Sequence, residues 1–196
     1  MSVLAEIDSI VAFLQGAERL KCVTRSGWTS AGERESVAAH SWRLCLLALV
    51  AHRHVPGVDF ARLIKICLIH DLGEAIGGDI PAIHQTAVGA KSAAERRDLL
   101  RLVEPLAPEA AAEIVALWDE YEAAATTEAK LAKALDKLET IIQHNQGRNP
   151  PDFDYRFNLG YGAAYTGFDP FIAAFRARVD RDTEAHAAAA ERAVSE

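Results

Sequence analysis

The stretch CLIHDLGEAIGGDI, residues 67–80, opens as an apolar helix and then gathers His70, Asp71, Glu74 and Asp79 among three glycines. Burying one unpaired carboxylate costs several kcal/mol, so a helix that reads as core has no ordinary reason to end this way. Two readings are open. Either the end of the helix faces solvent, or a cation sits among these side chains. His70 and Glu74 are four positions apart, which on a continuous helix sets both on the face that carries Leu63, Ile66 and Cys67. Asp71 falls on the flank of that face.

Two distant residues bear on the choice. His40 stands among Val37, Leu44 and Leu47, and Asp136 interrupts KALDKLETII beside Leu131, Leu135 and Leu138. Alone, the first reads as a structural histidine and the second as the start of a polar face. Together with His70 and Asp71 they bring nitrogen and oxygen donors from three helices to the edges of apolar faces. Two imidazoles and two carboxylates suit a divalent ion such as cobalt, manganese, iron or magnesium.

His40, the adjacent His70–Asp71 pair and Asp136 resemble the H…HD…D signature of the HD-domain metal-dependent phosphohydrolases. The surroundings ESVAAHSWR, IHDLGEAIGGDIP, LWDEYE and LDKLE are similar to the 5′-deoxynucleotidases of that superfamily, over roughly residues 8–180. The resemblance implies an all-α helical bundle with a metal between helices, held by His40, His70, Asp71 and Asp136. It implies that Glu74 activates the attacking water and that Asp79 contacts the sugar or assists the leaving group; both are further metal contacts in some members. Arg25 and Trp28, in TRSGW, match a phosphate-binding arginine and an aromatic that crowds the sugar. Two residues separate them here, as in one branch of the family; in another branch they are adjacent. The reaction implied is hydrolysis of deoxyribonucleoside 5′-monophosphates. Rival readings are another HD-type nucleotide phosphohydrolase or phosphodiesterase, and a regulatory module that binds nucleotide or metal without turnover.

Residue chemistry agrees with hydrolysis. A phosphate monoester is a dianion that resists water, so catalysis has to neutralise charge and supply a nucleophile. A metal ion does both, a carboxylate one turn from a ligand can take the water's proton, and arginine offers a bidentate grip on phosphate.

The elements that must position these groups read as helices. Leu4, Ile7, Ile10 or Val11, and Leu14 recur at helical spacing up to Gly16. A polar, glycine-containing stretch, RSGWTSAGERES, follows, with no five-residue alternation to mark a strand. Ser36 can cap a second helix, Asp59 a third that runs through His70 to Gly77–Gly78, and Asp79–Ile80–Pro81 another. Residues 92–103 are amphipathic, Pro108 opens a helix through Trp118 and Tyr121, and Thr126 or Thr127 starts the Asp136 helix, which Gly147 ends. Asp169–Pro170 begins the last. Residues 1–182 read as one domain and 183–196 as an alanine- and charge-rich tail that frays or continues as exposed helix. Trp42 and Trp118 read as core, while His52, His54, His84 and His186 read as surface. His144 reads as a favourable end to its helix, and NPPDFDYRFN chiefly as packing.

Composition bounds the partners. The 196 residues carry a net charge of −7 without a dense basic cluster, which excludes polymeric nucleic acid as the expected partner and leaves a small nucleotide. No apolar run approaches a membrane span, and the N-terminus reads as no secretion signal. Three cysteines without a CxxC pair point to a reducing, cytoplasmic setting. Resemblance also implies a homodimer, with Trp118, Tyr121 and the last helix as its offered interface.

Overall fold

The computed structural model describes residues 2–80 and 89–195. Helices α1 (Val3–Ala17), α2 (Val37–Ala51), α3 (Phe60–Ile69), α4 (Glu74–Gly77), α5 (Ala90–Val103), α6 (Pro108–Ala123), α7 (Thr127–Gln146), α8 (Tyr155–Gly160) and α9 (Pro170–Ser195) make up most of it. The helix expected from Pro81, and His84, lie outside the described residues.

The cap chemistry explains several boundaries. The side chains of Ser36, Asp59 and Thr126 accept from Ala39 N, Arg62 N and Ala129 N and start α2, α3 and α7. Pro108 occupies the first turn of α6, where its missing N–H is no loss. Asp169 Oδ1 accepts from Phe171 N and Ile172 N at the head of α9.

Helix α7 is the axis of the molecule. It touches α2, α3, α6, α8 and α9, and buries Leu131, Leu135, Leu138 and Ile141 completely. Since its surroundings are protein on nearly every side, the polar residues it carries are buried as well: Lys133, Asp136, Glu139, Thr140, Gln143 and His144. Polar groups in such a place need partners, and the candidate site supplies them.

Several expectations need correction. The polar stretch after α1 contains an antiparallel hairpin, β1 (Thr24–Trp28) with β2 (Arg34–Ser36), turned at Gly32 with φ +86°. It was illegible as strand because Arg25, Ser26, Trp28 and Arg34 line a cavity instead of an apolar core. The third helix is not continuous to Gly77. After Ile69 the chain tightens into bonds from Leu72 N to Ile69 O and from Glu74 N to Asp71 O, then restarts as α4, so His70 and Glu74 do not stack on one helical face. A Cβ on Gly73 would lie 2.6 Å from Glu95 O, and this close approach of α5 is what only glycine permits at the turn.

Trp42, read as core, is 64 % exposed, because α2 buries the opposite face through Val37, His40, Leu44, Ala48 and Ala51. Trp118 and Tyr121, offered as an interface, are themselves buried within the subunit. Helix α9 continues unbroken through residue 183 to Ser195, with Thr183 and Ala187 buried and Thr183 bonded to Asn145.

Candidate metal centre

Three elements deliver four side chains to one point. His40 comes from the first turn of α2, His70 and Asp71 from the turn that ends α3, and Asp136 from the middle of α7. Donor atoms of His40, His70 and Asp71 lie within 4.8 Å of one another. Nε2 of His40 is 3.1 Å from Asp136 Oδ1 and 3.9 Å from Asp71 Oδ2. Nε2 of His70 is 3.0 Å from Asp71 Oδ2 and 3.9 Å from Asp136 Oδ1.

Each of these side chains is held from behind. His40 Nδ1 bonds Glu139 Oε2, and His70 Nδ1 donates to Cys67 O at 2.9 Å. Both rings therefore present Nε2 to the centre. Asp136 Oδ2 accepts from Tyr121 OH at 2.6 Å and pairs with Lys137 Nζ at 2.8 Å, which leaves Oδ1 for the histidines. Asp71 Oδ2 also accepts from Arg25 Nη1 at 3.0 Å. Such outer partners are what orient metal-binding imidazoles and carboxylates.

Two observations test whether a cation fits. First, Nε2 of His40 and of His70 are buried and have no hydrogen-bond partner among the described residues, although carboxylate oxygens stand about them. Lone pairs that converge at 3.0–3.9 Å without bonding each other are arranged as neighbouring ligands are, since bonds of about 2.0–2.2 Å set adjacent donors roughly 3 Å apart.

Second, the site draws positive charge. Burial disfavours the His40 imidazolium and Arg25 adds to that, yet Asp136 and Glu139 hold its pKa up at about 9. Burial, then the charges of Asp71 and Asp79, push the Glu74 carboxyl up to about 9 against the pull of Lys91 and Arg25. Asp71, despite burial, is held below the usual carboxylate range by His70, Arg25 and His40. Buried carboxylates that stay ionised beside a histidine and an acid that favour their protonated forms make a site where a cation is stabilised. The residues fit a divalent metal.

The centre opens into a cavity of about 1210 Å³. Glu74, Asp79, Arg25 and Trp28 line it together with His70, Asp71 and Asp136, while His40 lies buried behind them. Lys91 on α5 bridges the two acids, 3.1 Å from Glu74 Oε1 and 3.8 Å from Asp79 Oδ1. Arg25 reaches from β1 to Thr140 Oγ1 at 3.0 Å as well as to Asp71. Arg34 lies over the Trp28 ring, 5.4 Å from its centroid, and Gln143 Nε2 donates to Trp28 O at 2.6 Å.

Residues 17–175 match the HD domain family. The chain belongs to it. The HD domain of this chain is 34 % identical over 142 residues to the 5′-deoxynucleotidase HDDC2 of Danio rerio, covering 71 % of this chain and 70 % of that one. It is 36 % identical over 141 residues to the 5′-deoxynucleotidase hdd1 of Schizosaccharomyces pombe, covering 69 % and 70 %. Among solved structures, a predicted metal-dependent phosphohydrolase from Magnetospirillum magnetotacticum superposes with a TM-score of 0.71 at 28 % identity, covering 96 % of both chains.

Sequence reasoning passed over several groups that the HD domain brings to this site. Tyr121, Lys137, Glu139 and Thr140 hold Asp136, His40 or Arg25, Lys91 joins Glu74 to Asp79, and His144 lines the cavity. A signal existed for part of this. Asp136, Thr140 and His144 recur every fourth residue, one row along α7.

Proposed function

We propose that the protein is a metal-dependent 5′-deoxynucleotidase that converts deoxyribonucleoside 5′-monophosphates to deoxynucleosides and phosphate. The observation that carries this is the pair of orphaned imidazole nitrogens facing two carboxylates at the floor of a cavity that also presents Arg25. Relatives named 5′-deoxynucleotidase on both sides of the animal–fungal divide support the substrate class.

In this reading His40, His70, Asp71 and Asp136 hold a divalent ion, with cobalt, manganese, iron and magnesium as candidates. The ion, when bound, neutralises phosphate charge and makes water a stronger nucleophile. The chain's own groups do the rest. Arg25 binds the phosphate and is kept in place by Thr140. Glu74 takes the proton of the attacking water, which requires its carboxylate form; Lys91 and Arg25 already favour that form, and any cation at the neighbouring ligands favours it further. As the bond between phosphorus and the 5′-oxygen breaks, the proton taken up by Glu74 passes to the departing 5′-oxygen, with Asp79 facing the leaving sugar. Trp28, backed by Arg34, walls the sugar side.

Phosphate release from panels of deoxynucleotides, ribonucleotides and cyclic dinucleotides, after chelation and after return of each metal, tests the proposal. The expected result is release from deoxynucleoside monophosphates that vanishes with chelator and returns with one or more of the four metals. Turnover that survives full metal removal overturns the mechanism. Turnover of cyclic dinucleotides alone would make the protein a phosphodiesterase, and tight nucleotide binding without any turnover would make it a regulatory module.

We also propose that the chain pairs with a second copy through α1 and α2. Val3, Leu4, Ile7, Ile10, Val11 and Leu14 of α1 are all exposed, and Trp42, Leu46, Leu49 and Val50 form an exposed stripe on α2. Exposed apolar stripes of this kind mark interaction faces. Helix α1 carries Glu6 and Asp8 and no basic residue, which disfavours an anionic lipid surface and favours a like helix. Among the described residues no helix is long and apolar enough to cross a membrane. Three free cysteines support a cytoplasmic setting.

A further inference from the structure

His144 has no part in the chemistry above, yet it is among the most firmly held side chains of the cavity wall. Its Nδ1 donates to Asn158 Oδ1 at 3.0 Å, and Phe153 packs edge-on with ring centroids 4.9 Å apart. Asn149 Nδ2 bonds the backbone oxygen of His144 at 2.6 Å. Gly27 admits the ring from the other side, since a Cβ there would stand 3.3 Å from His144 Cδ2. With Nδ1 committed as donor, Nε2 is left as an acceptor. Among the described residues its hydrogen-bond contact is Ser26 Oγ at 3.5 Å, at the limit of a hydrogen bond, so both groups keep capacity for a ligand. Asn158, buried on the same wall, leaves Nδ2 unpaired.

Position along α7 says which part of a ligand arrives here. Asp136, Thr140 and His144 form one row. Thr140 holds Arg25, the phosphate grip, and His144 lies one turn beyond it, about 12 Å along the axis from Asp136. A nucleotide whose phosphate lies between Asp136 and Arg25 brings its sugar level with His144 and Ser26.

We propose that His144, opposite Ser26, selects the substrate by accepting a hydrogen bond from the 3′-hydroxyl of the sugar. This deepens the deoxynucleotidase reading and rests on it. Burial lowers the pKa of His144 below the ordinary histidine value, so the ring is neutral at pH 7 and its Nε2 lone pair is free to accept. A pocket built to bond a hydroxyl rejects the analogue that lacks it, because its own polar group is then stranded.

The experiment compares thymidine 5′-monophosphate with its 2′,3′-dideoxy analogue as substrates. The unaltered enzyme is expected to favour the 3′-hydroxyl by about 10- to 100-fold in kcat/KM. His144→Phe should bring that ratio to within about threefold, by loss on the hydroxylated substrate alone, and His144→Gln, whose amide oxygen can accept, should restore part of it. Ser26→Ala, a smaller change on the opposite wall, should lower the ratio while leaving metal content and helicity unchanged, and guards against a His144 variant that fails to fold. A ratio that stays the same in the Phe and Ala variants overturns the proposal. So does a change in the ranking of the four bases without a change in the 3′ ratio, which would mean that His144 reads the base. If the enzyme releases no phosphate from any deoxynucleotide, the function reading has failed. Binding of thymidine against 3′-deoxythymidine, followed by calorimetry, then decides the His144 contact separately: equal affinities reject it.

Discussion

Glu139 bonds His40 at Nδ1 from the same helix that sets Asp136 Oδ1 3.1 Å from its Nε2, so α7 flanks one imidazole at both ring nitrogens and bonds it at one. Arg43 Nε approaches the other Glu139 oxygen at 2.8 Å, and the carboxylate is almost wholly buried. If His40 holds the proposed metal, this arrangement gives Glu139 the role of a positioning residue.

Replacing it tests that role. Glu139→Gln keeps shape and an accepting oxygen but removes the charge that makes His40 a stronger donor. Metal affinity should fall by about 10- to 100-fold, read by competition against a chromophoric chelator. Helicity should be unchanged. An affinity equal to that of the unaltered protein would show that Glu139 merely fills space.

Gly73 governs the turn that carries His70 and Asp71. A Cβ there meets Glu95 O at 2.6 Å, and a backbone oxygen cannot swing aside as a side chain can. Gly73→Ala should push α5 from the turn and cost about 1–3 kcal/mol by urea unfolding, with weaker metal binding because Asp71 moves with the turn. Gly160→Ala is the control: no atom lies within 4 Å of its added Cβ, and stability should change by no more than about 0.5 kcal/mol. Equal effects at both positions would remove the argument for close approach.

These two residues mark what the chain disclosed and what it hid. The caps at Ser36, Asp59 and Thr126 were legible because capping is local chemistry, decided within three residues. The clustering of His40, His70, Asp71 and Asp136, the proposed ligands, was legible because each interrupts or flanks an apolar stripe, a local anomaly. The break after Ile69 was not, since nothing near Gly73 announces that Glu95 will press on it from another helix. Periodicity likewise located α2 without saying which of its apolar faces is covered, and so Trp42 read as core. Glu139 and His144 stayed hidden for a related reason: on a helix enclosed by protein, polar residues look like an exposed face until the neighbours are known.

The exposed face of α2 offers a prediction of its own. Trp42→Glu and Leu46→Glu should convert a dimer to a monomer in sedimentation velocity, with little change in unfolding free energy per chain, because both side chains lie outside the subunit core. Trp118→Glu, by contrast, should unfold the chain, since that ring is 2 % exposed. If the unaltered protein sediments as a monomer at concentrations up to the millimolar range, the pairing proposal fails.

Glu35 gives a pH dependence whose sign can be worked out. It is 4 % exposed on β2, and its carboxyl is pushed up to about 7, first by burial and then by the charge of Glu139, against the pull of His40, Arg25 and Arg43. The folded protein thus holds this proton more tightly than the unfolded chain, where the group titrates near its ordinary value of 4.5. The associated stability is fully present below that ordinary value, is lost as pH rises to about 7, and changes no further above it. Glu35→Gln cannot titrate. Between pH 5 and pH 8 the variant should gain roughly 2 kcal/mol on the unaltered, metal-free protein, read as the difference between two urea-unfolding series. Taking the difference cancels the titrating groups that do not interact with Glu35. A gap that stays flat across this range, or that moves in favour of the unaltered protein, would show that the Glu35 carboxyl is ionised in the fold at pH 5 and that Arg25 and Arg43 outweigh its burial.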